Sequence, residues 1–262
     1  MYNGREDISQ GYLQETKGSN STNTGSTKIY GRRNIQCSKG SSEAKRKEEN
    51  TEGKRREGSW TIYQNIKQLE SINFVPDIDN IFSMFKCLSY DSIKVVIIGQ
   101  DPYPGRCNIS KVSYACGPAF VIPDNALTCP VSLKNLFSEL KREYTVRPIV
   151  SLQYIKLCLK YWISQGVFLT NLALTRGLEG TYLDNHKNFW MEFSISFIKK
   201  VSMLGCPIVL LGAEAWELSN YIDNDTPIYK FYHPASRDNQ FANCKMFSKI
   251  NSHLSKHINW VF

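Results

Sequence analysis

The sequence predicts an α/β fold: a single domain whose central, mainly parallel four-stranded sheet is flanked by helices, preceded by a disordered N-terminal arm. Three observations lead there. Four short apolar runs, each ending in a polar loop, alternate with segments of helical period. The first run, Val95–Gly99 in "VVIIGQDPYPG", places four β-branched residues in succession, the pattern of a strand covered on both faces. Residues 1–58, by contrast, are mostly Ser, Thr, Asn, Gly, Lys, Arg and Glu, with too few large apolar side chains to offset the entropy of ordering.

Within the arm, "AKRKEENTEGKRREG" carries two basic clusters, Lys45–Lys47 and Lys54–Arg56. Glutamates sit among them, which favours a solvated linker over a nuclear address or a loose phosphate-binding tail. From "SWTIYQNIKQLESINFVPDI" onward apolar and aromatic residues recur, so the domain is assigned to 59–262. After Val95–Gly99 the strand cannot continue. Pro102 and Pro104 fix φ, remove two backbone donors and restrain the residues before them, so Asp101 and Tyr103 are presented from a stiff loop. In "SLKNLFSELKREY", Leu133, Leu136, Phe137 and Leu140 share a helical face, with Ser132 as the expected N-cap. "GVFLTNLALT" is the second apolar run. "NFWMEFSISFIKKVSML" repeats the helical spacing with Trp190, Phe193, Phe197, Ile198 and Val201, a stripe that reads as core and not as a cofactor box. The runs in "PIVLLGAEAW" and "PIYKFYHPASRD" complete the sheet.

Composition narrows the function. A formal charge of +8 and a pI near 9.0 favour a polyanionic partner. Eight cysteines are scattered without a C-x-x-C pair, which argues against zinc or an iron–sulfur cluster and fits reduced thiols in an intracellular protein. The N-terminus lacks an apolar signal region and no window is long and apolar enough to span a membrane, so a soluble, non-secreted protein is expected.

In an open parallel sheet the carboxyl ends of the strands line one edge, and ligands bind in the crevice there. The four loops deliver Asp101, Asn171, Gly212 and His233, which are therefore expected to converge. G-x-x-x-x-G-K-[ST], metal-spaced histidines and G-x-S-x-G are all absent, so P-loop chemistry, metal hydrolysis and the nucleophile-elbow serine hydrolases are poorly supported. An amide offers a donor and an acceptor side by side, suited to the edge of a base, and Phe120 and Tyr103 supply rings to stack on or flank it. A base-handling enzyme is the leading reading.

"GQDPYPG", "GPAFVI", "QGVFLTNLALT", "NHKNFWMEF" and "YHPASRD", in this order and at these intervals, resemble uracil-DNA glycosylase, over roughly Ile93 to Trp260. The resemblance implies release of uracil from DNA by hydrolysis of its N-glycosidic bond, without a cofactor. It implies Asp101 as the catalytic carboxylate that orients water and stabilises the cationic sugar, and His233 as donor to the uracil O2. Asn171 matches the residue that pairs with the uracil edge, Phe120 the stacking ring and Tyr103 the ring that excludes a 5-methyl group; Gln100 shapes the pocket through its backbone. The loops that pinch the DNA backbone align with "LTCPVSL", "LGAEA" and "HPASRD", giving Pro130, Ser132, Gly212, Ala213, Pro234, Ser236 and Arg237 as DNA-binding candidates.

Three departures from the family pattern stand out. Pro104 replaces a common histidine, Ala213 a common serine, and Arg237 the apolar wedge that fills the gap left by a flipped base. "YHPASRDNQF" resembles the poxvirus branch more than the cellular one. That likeness carries a second reading, a DNA-binding accessory subunit of a viral DNA polymerase, and a cytoplasmic address in place of a nuclear one. A third reading, a glycosylase for another base, is disfavoured by Tyr103 and Asn171. Uracil-containing DNA, single- or double-stranded, is the expected partner.

Overall fold

The chain enters the described structure through a two-residue strand, Phe74–Val75 (β1), and a short helix, Ser83–Cys87 (α1). The computed structural model describes residues 74–105, 112–144, 151–178, 183–222 and 225–261; the expected arm at 1–58 and the expected start of the fold near Ser59 lie outside them. Next come Val95–Gly99 (β2), the helices Val131–Glu143 (α2) and Leu152–Ser164 (α3), then Val167–Asn171 (β3) and Arg176–Gly177 (β4). The long helix Leu183–Ser202 (α4), Ile208–Leu211 (β5), the single turn Ala213–Trp216 (α5), Ile228–Phe231 (β6) and Met246–Asn251 (α6) follow.

The four apolar runs form one sheet in the order β3-β2-β5-β6, with every neighbouring pair parallel. β1 and β4 pair separately as an antiparallel ribbon. Every position of β2, β3 and β5 is buried, as expected of strands covered on both faces, whereas β6 at the edge buries only Phe231. Helices supply the cover. Trp162 of α3 stacks on Phe137 of α2 at 5.3 Å between ring centroids and donates its indole N–H to the Trp260 carbonyl at 2.9 Å. A second aromatic group joins Phe82, Phe85, Phe168, Trp190, Phe193 and Phe197 through mostly edge-to-face contacts, so the stripe on α4 is core.

Two helical details differ from the sequence expectation. Helix α2 starts two residues earlier, at Val131: the Pro130 carbonyl already accepts the first helical bond from Lys134 N at 3.0 Å. Ser132 therefore lies inside the first turn and is no N-cap; it is buried, and its hydroxyl donates to Tyr103 Oη at 3.3 Å. Helix α3 was not anticipated, although Ser151 caps it by accepting from Tyr154 N at 3.1 Å and Ile155, Cys158, Leu159 and Trp162 recur at helical spacing.

Candidate active site

The parallel register sets the site. Gly99 pairs with Asn171, so β2 and β3 end together, and the chains stay side by side beyond the sheet as Leu172 N and Ala173 N donate to the Gly99 and Gln100 carbonyls at 2.9 and 3.0 Å. Above these ends lies a cavity of about 290 Å³ lined by Gln100, Asp101, Tyr103, Phe120, Pro130, Ser132, Asn171 and His233, with Pro104 and Arg176. Gly99 lies in its floor for a steric reason: a Cβ there would sit 2.5 Å from Asn171 Oδ1. Phe120, almost fully buried, holds a left-handed φ of 66°, a conformation that costs an aromatic residue about 1–3 kcal/mol. The preceding Ala119 N bonds the Leu169 carbonyl at 3.1 Å and ties this segment to β3.

The electrostatics differ from residue to residue. Burial pushes the Asp101 carboxyl up to about 6, against the opposing pull of the Arg176 guanidinium, whose Nη1 lies 2.8 Å from Oδ2. Burial likewise pushes the Tyr103 hydroxyl above its ordinary range, with the Ser132 hydrogen bond opposing, so the phenol stays protonated. His233 is held below its usual value by burial and is neutral near pH 7. Its Nδ1 accepts from Ala235 N at 3.1 Å, which leaves Nε2 to carry the ring hydrogen.

Three of the four residues expected to converge, Asp101, Asn171 and His233, line this cavity. Gly212 stands behind it. At φ 94° it takes a conformation suited to glycine, and a Cβ there would come 3.1 Å from the His233 Cβ. Of the other DNA-binding candidates, Pro130 and Ser132 line the cavity, whereas Ala213, Pro234, Ser236 and Arg237 lie outside it. Ala213 and Arg237 are exposed, Pro234 is buried with its carbonyl accepting from Asn135 Nδ2 at 2.7 Å, and Ser236 is half-buried with a hydroxyl that has no protein partner. Arg176 was missed by the sequence reading. The only sign of it was the need of a buried carboxylate for a cation, and "NLALTRG" offers one just past the β3 run.

The stretch from Pro234 to Ser248 is fastened to α2. Glu139, fully buried, accepts from Asn243 N and Lys245 N at 2.7 and 2.9 Å and from Arg142 at 3.0 Å. One turn on, Glu143 accepts from Phe247 N and Ser248 N at 3.1 and 2.7 Å, supplying the N-terminal cap that the left-handed Lys245 cannot.

Similarity to known proteins points the same way. The Uracil DNA glycosylase superfamily matches residues 86–255. The uracil-DNA glycosylase of Buchnera aphidicola subsp. Acyrthosiphon pisum (strain Tuc7) is 36% identical over 195 residues, 71% of this chain and 83% of its own. That of Campylobacter jejuni subsp. doylei is 34% identical over 192 residues, 71% of this chain and 77% of its own. The crystal structure of mimivirus uracil-DNA glycosylase superposes with a TM-score of 0.64 at 29% identity, covering 77% of this chain and 80% of that one. With its parallel sheet, the cavity at the strand ends and a family match that runs from α1 past α6, this chain belongs to the uracil-DNA glycosylase superfamily.

Proposed function

We propose that the protein excises uracil from DNA, leaving an abasic site. One observation carries the reading: Asp101, Asn171 and His233, from the ends of three different strands, line a single cavity. A base flipped into it stacks on Phe120 and pairs its edge with the Asn171 amide, while the Tyr103 ring excludes a 5-methyl group. As the N-glycosidic bond breaks, the electron pair leaves with the base and negative charge gathers on the uracil O2, where the Nε2–H of neutral His233 donates. The sugar becomes cationic; Asp101, ionised, stabilises it and orients the water whose oxygen bonds to C1′. Pro130, Ser132, Gly212, Ala213, Pro234 and Ser236 contact the DNA backbone, and Arg237 occupies the place left by the flipped base.

The test is release of free base by the full chain from matched oligonucleotides that carry uracil or thymine at one position. Uracil release alone is expected; release of neither base, or of both equally, would refute the reading. A second reading, an accessory role beside a viral polymerase, is favoured by "YHPASRDNQF" with its exposed Arg237. Longer polymerase tracts per binding event on addition of the Asp101→Asn protein would support that role independently of excision.

A further inference from the structure

None of the roles above uses Arg176, although it is part of the wall of the same cavity. Its backbone is fixed independently of its side chain, because β4 pairs with β1 in the register Val75↔Arg176. The side chains of Arg176 and Asp101 are 25% and 10% exposed, and Nη1 lies 2.8 Å from Oδ2, a close ion pair without the alignment of a hydrogen bond. The other described groups facing the carboxylate offer it no positive charge. Glu214 on α5 repels it and is itself engaged by Lys187, which also pairs with Glu217 at 2.9 Å; His233 is neutral and the Tyr103 phenol protonated. Among the described residues Arg176 is the cation in direct contact with Asp101. A buried carboxylate without a partner takes up a proton, and a protonated acid neither orients water as an acceptor nor stabilises a cationic sugar.

We propose that Arg176 is a positioning residue for uracil excision: its guanidinium keeps the Asp101 carboxylate charged and, by occupying Oδ2, leaves Oδ1 for the attacking water. The inference rests on the uracil-excision reading, and two readouts separate their fates. The first is the titration of the Asp101 carboxyl carbon by NMR in the full chain, assigned with Asp101→Asn. In Arg176→Gln its midpoint rises by about 1–3 pH units, the effect of removing an opposite charge at this range, whereas Arg176→Lys stays near the unmodified protein. The second is the single-turnover excision rate on a single-stranded uracil oligonucleotide. Arg176→Gln is slowed about tenfold or more at mildly acidic pH and recovers toward the unmodified rate at alkaline pH, as a shifted ionisation requires.

An unshifted midpoint in Arg176→Gln, or an equal loss of rate at every pH, would overturn the inference, the latter because a merely structural role has no pH signature. In the unmodified chain the Arg176 guanidinium resonances move with the midpoint of Asp101; if they do not, the inference fails even if no variant folds. A protein that releases no uracil would sink the excision reading while the carbon titration still decided whether Arg176 holds the charge on Asp101.

Discussion

Asp101 and Asn171 leave strands that are buried at every position and paired residue for residue, whereas His233 and the residues after it leave β6, an edge strand with one buried position in four. The two regions are ordered by different means. On the β2/β3 side the hydrophobic burial of the strands fixes where each loop begins, and little freedom remains by the time the chain reaches Asp101. On the β6 side order comes from a neighbour: Asn135, Glu139 and Glu143, along α2, bind the backbone of the segment from Pro234 to Ser248. The same helix opens with Ser132 bonded to Tyr103, so α2 touches both regions. Asp101 and Asn171 sit where the core over-determines them, whereas His233 leaves an edge strand and the DNA-contact candidates Pro234, Ser236 and Arg237 follow it on a segment held by a few polar clamps.

If this division is correct, substitutions in the cavity impair excision from single strands and duplex alike, and substitutions in the clamped segment impair duplex substrates selectively. The largest expected effect is that of Asp101→Asn, a loss of several orders of magnitude on both substrates in single-turnover assays, with DNA binding retained. A variant with near-normal rates would remove Asp101 from the chemistry. The unmodified enzyme carries the matching pH signature. Because the ionised form acts and burial places the carboxyl at about 6, the rate falls as pH drops through that value and is level above neutrality. The same burial has a cost in stability. With its folded value raised, Asp101 favours the native state fully below its unfolded value of 3.8, and that contribution is lost as pH rises through about 6.

His233→Ala comes next. One preorganised donor to a developing oxyanion is worth about 10²–10³ in rate, again on both substrates, since the group acts after flipping. A loss confined to duplex DNA would move His233 from the chemical side of the comparison to the contact side. Tyr103→Ala tests the cavity wall by product: thymine appears among the released bases while uracil excision persists. A variant that still ignores thymine would show that the ring does not guard the 5-position.

The smallest effects belong to the clamped segment, and they are read as ratios. Arg237→Ala lowers the duplex-to-single-strand ratio of rates several-fold, because only the duplex requires unstacking. Glu139→Gln lowers the same ratio without touching DNA, since an amide oxygen cannot hold both Asn243 N and Lys245 N as the carboxylate does, and a hydrogen bond to a charged group contributes about 1.5–3 kcal/mol. Equal losses on both substrates for Arg237→Ala would mark a general phosphate contact and erase the distinction between the two regions.

Much of this was legible in the sequence because it depends on local pattern. The four strands declared themselves as short β-branched or apolar runs ended by turn residues, and parallel alignment then carries their polar exits to one edge whatever the details of packing. Hence the convergence of Asp101, Asn171 and His233 on one edge follows from the sequence pattern. Positions fixed by contacts remote in sequence were not legible. Ser132 reads as a cap and turns out to be the hydrogen-bond partner of Tyr103, 29 residues away. Glu139 and Glu143 look like solvated helix charges, yet they bind backbone amides more than 100 residues on. Arg176 looks like a turn residue after an apolar run, and only the pairing of β4 with β1, together with the common exit of β2 and β3, brings it against Asp101. Periodicity records which face of an element is buried, so the sequence determined the elements and the edge on which they end; which charges meet across that edge depends on how the elements pack, and the tertiary structure alone decided it.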